Sequence, residues 1–283
     1  MQQDTCHYPS QEADNFMIRH NKIIEIRAND GLAYGISVQT ESPDIVESIA
    51  AAGYDFIYID CEHGSFDIVN LNHMLRAADA MRITALVRVP DQNPIFISRV
   101  LDAGAMGIIV PSIETAEQAK CVVSAARYKA PNNTGKRGAC ATIRSAWHLS
   151  DNWREFTIWS NKNILVWLII ESVKGIENAS EICEVPGVDG IVLGAFDLAQ
   201  ELGYLGQPNH PDVTSLNDKL LSVACKHVVP IITGLMSATP EDLIKEKINL
   251  MKKGVKTFIA GNDRKLFRTA LNIRIDALKK TQN

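Results

Sequence analysis

Two carboxylates sit at the ends of apolar runs. Glu171 closes ILVWLIIES (164–172) and Asp197 closes GIVLGAFDL (190–198). Runs of this length and composition read as strands buried on both faces. A carboxylate at the end of such a strand belongs to a site, because a core does not tolerate it unpaired. Two of them on neighbouring strands form a pocket of hard oxygens suited to a divalent cation. Each also has a plainer reading: Glu171 as half of a buried ion pair, and Asp197 as the N-cap of a helix beginning at LAQEL. Their joint placement favours the metal. Two further residues end apolar runs. His63 follows DFIYID in Asp60-Cys61-Glu62-His63-Gly64, and Arg88 ends TALVR. A histidine titrates near neutrality and suits proton transfer. A fixed guanidinium stabilises negative charge as it develops. Their plainer readings are a hydrogen-bonded loop residue and a salt bridge at a rim.

The elements that must position these groups alternate. Strands are predicted over 35–39, 55–60, 84–89, 107–112, 164–170, 190–194, 229–234 and 257–261. Helical spacing fills the intervals. Ser42 with Pro43 opens one helix that Gly53 ends, and 66–80 has helical periodicity. Asn93-Pro94 opens a helix that Gly104 closes. Thr115 with Gln118 forms a capping box over a helix reaching about Tyr128. A longer segment, 129–163, is irregular in pattern and either functional or home to small helices of its own. A last helix covers about 263–280. Eight strands alternating with helices predict an α/β fold, a (β/α)8 TIM barrel forming a single domain over 1–283, with residues 1–15 a loose leader. The rival, a doubly wound open sheet, lacks a GxGxxG after its first strand. In a barrel the site lies at the C-terminal strand ends, where His63, Arg88, Glu171 and Asp197 converge.

The composition bounds the function. The chain has 283 residues, 46% hydrophobic, with a net charge of −4, ample for a full core and unlike a nucleic-acid binder with its basic face. Six scattered cysteines without CxxC spacing read as free thiols of a reducing compartment. The polar N-terminus lacks the apolar stretch of a signal peptide. No run approaches the roughly 20 apolar residues that span a bilayer. The expectation is a cytoplasmic protein acting on a small molecule, with neither nucleic acid nor membrane as partner.

Several stretches together resemble the HpcH/HpaI aldolase family, metal-dependent class II pyruvate aldolases on a (β/α)8 barrel. They are IDCEHGSFD (59–67), LVRVPDQNP (86–94), LDAGAMGIIVPSIETAEQA (101–119), KRGACATIRSAW (136–147), IIESVKGIEN (169–178) and VDGIVLGAFDLAQELGYLGQPNHP (188–211). The resemblance implies that Glu171 and Asp197 hold a divalent cation, Mg2+ or Mn2+. It implies that Arg88 faces the keto oxygen of a 2-oxo acid, that His63 moves a proton, and that Asp102 pairs with this histidine. Helical spacing places Asp102 near a helix end, away from the strand-end mouth. From there it reaches a histidine across a subunit boundary, or merely helps to end the helix before Gly104. Gly194, Ala195, Phe196 and Asp197 would offer backbone N–H groups to the substrate carboxylate. Lys136-Arg137-Gly138 and Arg144 resemble a flexible segment beside the mouth that could recognise an acidic distal group. The resemblance further implies a homo-oligomer, hexamer or dimer, with the C-terminal helix packing on a neighbour. The apolar positions of 265–280 fit that role and an ordinary barrel helix equally well.

The implied activity is reversible cleavage of a 4-hydroxy-2-oxo acid, of the 2-keto-3-deoxy type, to pyruvate and an aldehyde, with no lysine needed for a Schiff base. Two positions depart from the family pattern. Ile169 stands where a glutamine is usual, two residues before the first ligand. Ala195 and Phe196 replace the usual Gly-Pro-Ala or Gly-Pro-Asn context of the second. These changes leave enolate chemistry in place but reshape the pocket. They keep open an oxaloacetate-using decarboxylase or a citrate-synthase-like condensing enzyme. A catalytically silent barrel serving as a binding module is the remaining alternative.

Overall fold

The predicted strands form, and each pairs in parallel with the next until the eighth closes on the first. The computed structural model describes residues 19–148, 151–237 and 239–280; the leader expected over 1–15 lies outside the described residues. The strands are β1 (Ala33–Val38), β2 (Phe56–Asp60), β3 (Thr84–Arg88), β4 (Gly107–Val110), β5 (Leu165–Ile170), β6 (Gly190–Leu193), β7 (Ile231–Gly234) and β8 (Thr257–Asn262). Before and between the first five strands lie α1 (Lys22–Ala28), α2 (Pro43–Ala51), α3 (Ile68–Ala80), α4 (Pro94–Asp102), α5 (Ala116–Ala126) and α6 (Trp153–Asn163). The second half carries α7 (Val173–Glu177), α8 (Ala179–Cys183), α9 (Ala195–Glu201), α10 (Pro211–Lys226), α11 (Pro240–Lys252) and α12 (Asp263–Lys279).

Strand alternation divides the apolar residues into two cores. Ile57, Ile59, Val87, Ile108, Val110, Val166, Leu168 and Ile170 point outward and pack against the helices. Phe56, Tyr58, Leu86, Ile109, Leu165, Trp167, Ile169, Val192, Ile232 and Ile259 point inward and fill the barrel. Room for Phe56 comes from Gly35 on the adjoining strand, where an added Cβ would stand 2.3 Å from the Phe56 ring. Helix α1 stops the N-terminal end of the barrel, with Ile23 fully buried among the inward residues.

Helix starts follow local chemistry. The Thr115–Gln118 capping box is complete, and the Asn93 side chain accepts from the N–H groups of Ile95 and Phe96 ahead of α4. Ser42 occupies the N-cap of α2 in extended backbone, but its side chain makes no capping hydrogen bond; Pro43 at the first position sets the turn instead. Residues 129–163 are less irregular than their pattern suggests, because they contain α6. Its Trp153, Phe156 and Trp159 pack with Tyr128 in a chain of ring contacts.

Candidate active site

The C-terminal strand ends build one cavity of about 390 Å³. His63, Arg88, Glu171, Gly194, Phe196 and Asp197 all line it, so six of the expected residues share a single space. Tyr58, Ile169, Val192 and Ile259 form its floor, and among the described residues no lysine is part of the lining.

Arg88 ends β3 beside Asp60 at the end of β2, its register partner. Its Nε donates to Asp60 Oδ1 at 2.8 Å and its Nη2 to Oδ2 at 2.6 Å, a bidentate pair. Its Nη1 meets Glu62 Oε2 at 2.9 Å. Asp60 is fully buried and also accepts from Gln39 Nε2 and from the backbone N–H groups of Glu62 and His63. Burial alone would raise the Asp60 carboxyl. The hydrogen bonds and charge of Arg88, with those of Gln39 and the His63 N–H, outweigh it and hold the group below its ordinary value. Arg88 is stabilised reciprocally: burial opposes its charge, but Asp60, Tyr58 and Glu62 raise its affinity for the proton above the ordinary value. The guanidinium is therefore a fixed, permanently charged donor. Gln39 links this group to α12, because Asp263 at the head of that helix accepts the N–H groups of Gln39 and Thr40 at 3.0 and 2.9 Å.

Glu171 follows β5. The N–H and hydroxyl of Ser112 both donate to its Oε1, at 2.8 and 3.2 Å. Ser112 adopts a left-handed backbone at φ 58°, a conformation costing on the order of 1–3 kcal/mol that orients both donors. Gly194 faces the same carboxylate. A Cβ there would lie 2.3 Å from Glu171 Cβ and 2.6 Å from Oε2, so only glycine leaves the group room. Burial raises the Glu171 carboxyl above its ordinary value; the Ser112 N–H opposes this, and the charges of Asp197 and Glu62 add to it. Glu62 is raised likewise, by burial first, with Arg88 and His63 opposing and Asp60 and Asp197 adding. Four carboxylates thus share the mouth with Arg88, which is already engaged by two of them. The acidic excess and the hard-oxygen donors fit a divalent cation at Glu171 and Asp197. Among the described residues no three His, Cys, Asp or Glu side chains are arranged to hold a metal ion together, so an ion at Glu171 and Asp197 would need further ligands from solvent or substrate.

Asp197 does not cap a helix at LAQEL. Helix α9 starts three residues earlier, at Ala195, with Gly194 at its N-cap and Asp197 in its first turn. The Gly194 N–H is already directed to the Ile170 carbonyl at 3.3 Å, which removes it from the expected set of carboxylate donors. Its contribution is space. The first-turn N–H groups of Ala195, Phe196 and Asp197 precede the first intrahelical bond of α9, from Leu198 to Gly194. His63 stands at the rim, 60% exposed at its side chain, with Nε2 3.6 Å from Glu62 Oε2.

Asp102 lies where helical spacing placed it, away from the strand-end mouth. It ends α4, five residues before β4 begins, and so lies at the opposite end of the barrel from His63. Its carboxylate binds Arg137 Nη2 at 2.7 Å, and no Asp102–His63 pair forms within this chain. Arg137 and Arg144 likewise do not flank the mouth. Arg137 is buried, stacks 4.5 Å from the Tyr128 ring centroid and touches Ser160. Arg144 donates to the Ala103 carbonyl and to Asp79 at the end of α3. Lys136 is exposed near them. The half-buried carboxylates of Asp102 and Asp79 account for these arginines without an acidic substrate group. Sequence reasoning missed Tyr58, Asp60, Glu62 and Ser112. Asp60 and Glu62 carried a signal, as acidic residues closing an apolar run; Ser112 carried none, since its role depends on backbone geometry.

The chain matches the model of the HpcH/HpaI aldolase/citrate lyase family over residues 34–270. It is 34% identical over 239 residues to 5-keto-4-deoxy-D-glucarate aldolase of Klebsiella pneumoniae, covering 84% of this chain and 89% of that protein. It is 33% identical over 208 residues to 2-dehydro-3,6-dideoxy-6-sulfogluconate aldolase of Pseudomonas putida, covering 73% and 78%. Among solved structures it superposes on citrate synthase SbnG with a TM-score of 0.81 and 32% identity, over 93% of this chain and 99% of that one. Closed barrel, acidic mouth and these likenesses agree: the chain belongs to the HpcH/HpaI aldolase/citrate lyase family of enzymes.

Proposed function

We propose that this enzyme is a divalent-metal-dependent aldolase, a carbon–carbon lyase. It would reversibly cleave a 4-hydroxy-2-oxo acid of the 2-keto-3-deoxy type to pyruvate and an aldehyde. The observation that carries this reading is the convergence of Glu171, Asp197 and a doubly anchored Arg88 on one cavity whose lining lacks lysine. Without a lysine there is no amine for a Schiff base, and charge must be stabilised electrostatically. Glu171 and Asp197 would hold Mg2+ or Mn2+. Once bound, such an ion supplies Lewis acidity towards the oxygen that gains charge as the carbon–carbon bond breaks.

The chain's own residues do the rest. Arg88 uses three of its five N–H groups on Asp60 and Glu62, leaving two to donate to the keto oxygen from a fixed position. The N–H groups opening α9 receive the substrate carboxylate. His63, at the solvent rim, takes the C4 hydroxyl proton in cleavage and returns it in synthesis. Helix α12 supports a homo-oligomer, because its apolar side chains remain exposed. Among the described residues no helix is long and apolar enough to cross a membrane. Free thiols at Cys61, Cys121, Cys140, Cys183 and Cys225 support a cytoplasmic setting.

The test is pyruvate release from a panel of hydroxy-oxo acids, with and without chelator. Glu171→Gln and Asp197→Asn should each abolish metal-dependent release and weaken Mn2+ binding while leaving the circular dichroism spectrum intact. Unchanged turnover in either variant removes that residue from the site. A second reading, condensation of oxaloacetate as in a citrate synthase, is favoured by the 32% identity to such an enzyme and by Ile169 and Phe196 on the cavity wall. Consumption of oxaloacetate with acetyl-CoA, and no pyruvate from hydroxy-oxo acids, would establish it instead.

A further inference from the structure

The cavity lining carries polar groups that the reading above leaves unused, and Tyr58 is the one beside Arg88. Tyr58 lies on β2 two residues before Asp60, so strand alternation turns both side chains into the barrel. It lines the same cavity as Arg88 and Glu171 and is only 7% exposed. The Arg88 guanidinium carbon lies 5.3 Å from its ring centroid, a cation–π contact that the ring alone provides. The hydroxyl has no such use. No described residue hydrogen-bonds it, yet its oxygen is not among the fully sealed polar atoms that lack a partner.

A buried phenol ordinarily finds a partner, and leaving one unsatisfied is unfavourable. Phenylalanine would fill this floor without that cost, as Phe56 does one layer below. Ser37, its register partner on β1, accepts from Asn262 Nδ2 and not from the phenol, and Ile169 and Val192 of the same lining are apolar. The hydroxyl therefore faces whatever enters the cavity. Burial, with Asp60, Glu62 and Glu171 nearby, keeps the phenol well above its ordinary value despite Arg88, so the group is a hydrogen-bond donor.

We propose that Tyr58 is a substrate-contacting residue whose hydroxyl donates a hydrogen bond to an anionic oxygen of the bound 2-oxo acid, beside Arg88. This inference rests on the 2-oxo acid reading of the site. The experiment is calorimetric titration of the Mg2+-loaded enzyme with oxalate, a planar mimic of the pyruvate enolate, comparing wild type with Tyr58→Phe. Wild type should bind oxalate, and Tyr58→Phe should bind it roughly tenfold more weakly, about 1.4 kcal/mol. Its Tm should be unchanged or higher, because no protein partner is lost. The KM for pyruvate in methyl-group deuterium exchange should rise in parallel. Equal oxalate affinity in the two proteins overturns the role of Tyr58 while the site reading stands, and a lower Tm with unchanged affinity assigns the hydroxyl to the fold. A wild-type enzyme that binds no oxalate in Mg2+ or Mn2+ overturns both.

Discussion

Asp60 is the reason that alanine alone is a poor probe of Arg88. Removing the guanidinium deletes a preorganised donor, and Arg88→Ala should lower kcat on the order of 100-fold. It also strands a fully buried carboxylate, a change that typically costs about 3–5 kcal/mol. Urea unfolding should show that loss, and the double variant Arg88→Ala/Asp60→Asn should recover most of the stability but none of the turnover. Buried Asp60 and half-buried Glu171 respond to pH in opposite senses. Asp60 is held below its ordinary value, so the stability it contributes is present above the ordinary carboxylate range and lost as pH falls through its folded-state value. Glu171 is held above, so the folded protein retains a proton there that the unfolded chain releases. Metal-free stability therefore declines as pH rises from the ordinary glutamate range through the raised one. Glu171→Gln should remove that slope and give a metal-free Tm at neutral pH equal to or above wild type. A wild-type Tm that is flat across this window would contradict the buried, repelled state of the carboxylate.

At the scale of elements, what was legible depended on periodicity. The strands and the capped helices announce themselves through apolar runs, Asn93-Pro94 and the Thr115–Gln118 box, and the strand ends then deliver His63, Arg88, Glu171 and Asp197 to one mouth. The segment from 129 to 163 offers no such period, so the burial of Arg137 and the start of α6 were invisible. Ser112 and Tyr58 look unremarkable in sequence because their roles come from a left-handed turn and a barrel layer. The placement of Asp102 has a measurable consequence. Its partner Arg137 has 1% side-chain exposure, so Asp102→Asn leaves a buried cation uncompensated and should cost about 3 kcal/mol in urea unfolding, with kcat per folded site unchanged. A large fall in kcat at intact stability would instead assign Asp102 to a histidine on a neighbouring copy.

For the whole molecule, the conspicuous feature is a helix that the barrel does not cover. Leu266, Phe267, Leu271, Ile273 and Ile275 of α12 are each 45–68% exposed, so the ordinary barrel-helix reading of 265–280 does not hold. Between α2 and α11 lies an apolar groove of about 450 Å³ lined by Tyr34, Tyr54, Leu243, Ile244 and Ala260. In the proposed homo-oligomer, α12 of a second copy would fill it and bury both surfaces at once. Sedimentation should find wild type oligomeric, and Phe267→Asp/Leu271→Asp should shift it to monomer; a monomeric wild type would refute the pairing. The first residue of this helix, Asp263, grips the backbone of Gln39, whose side chain reaches Asp60 and through it Arg88. The tail and the Arg88 guanidinium thus hang on one tether. Under the proposed assembly a neighbour that holds the tail would steady the reacting end, so dilution should be felt as a slower enzyme and not merely as a smaller particle.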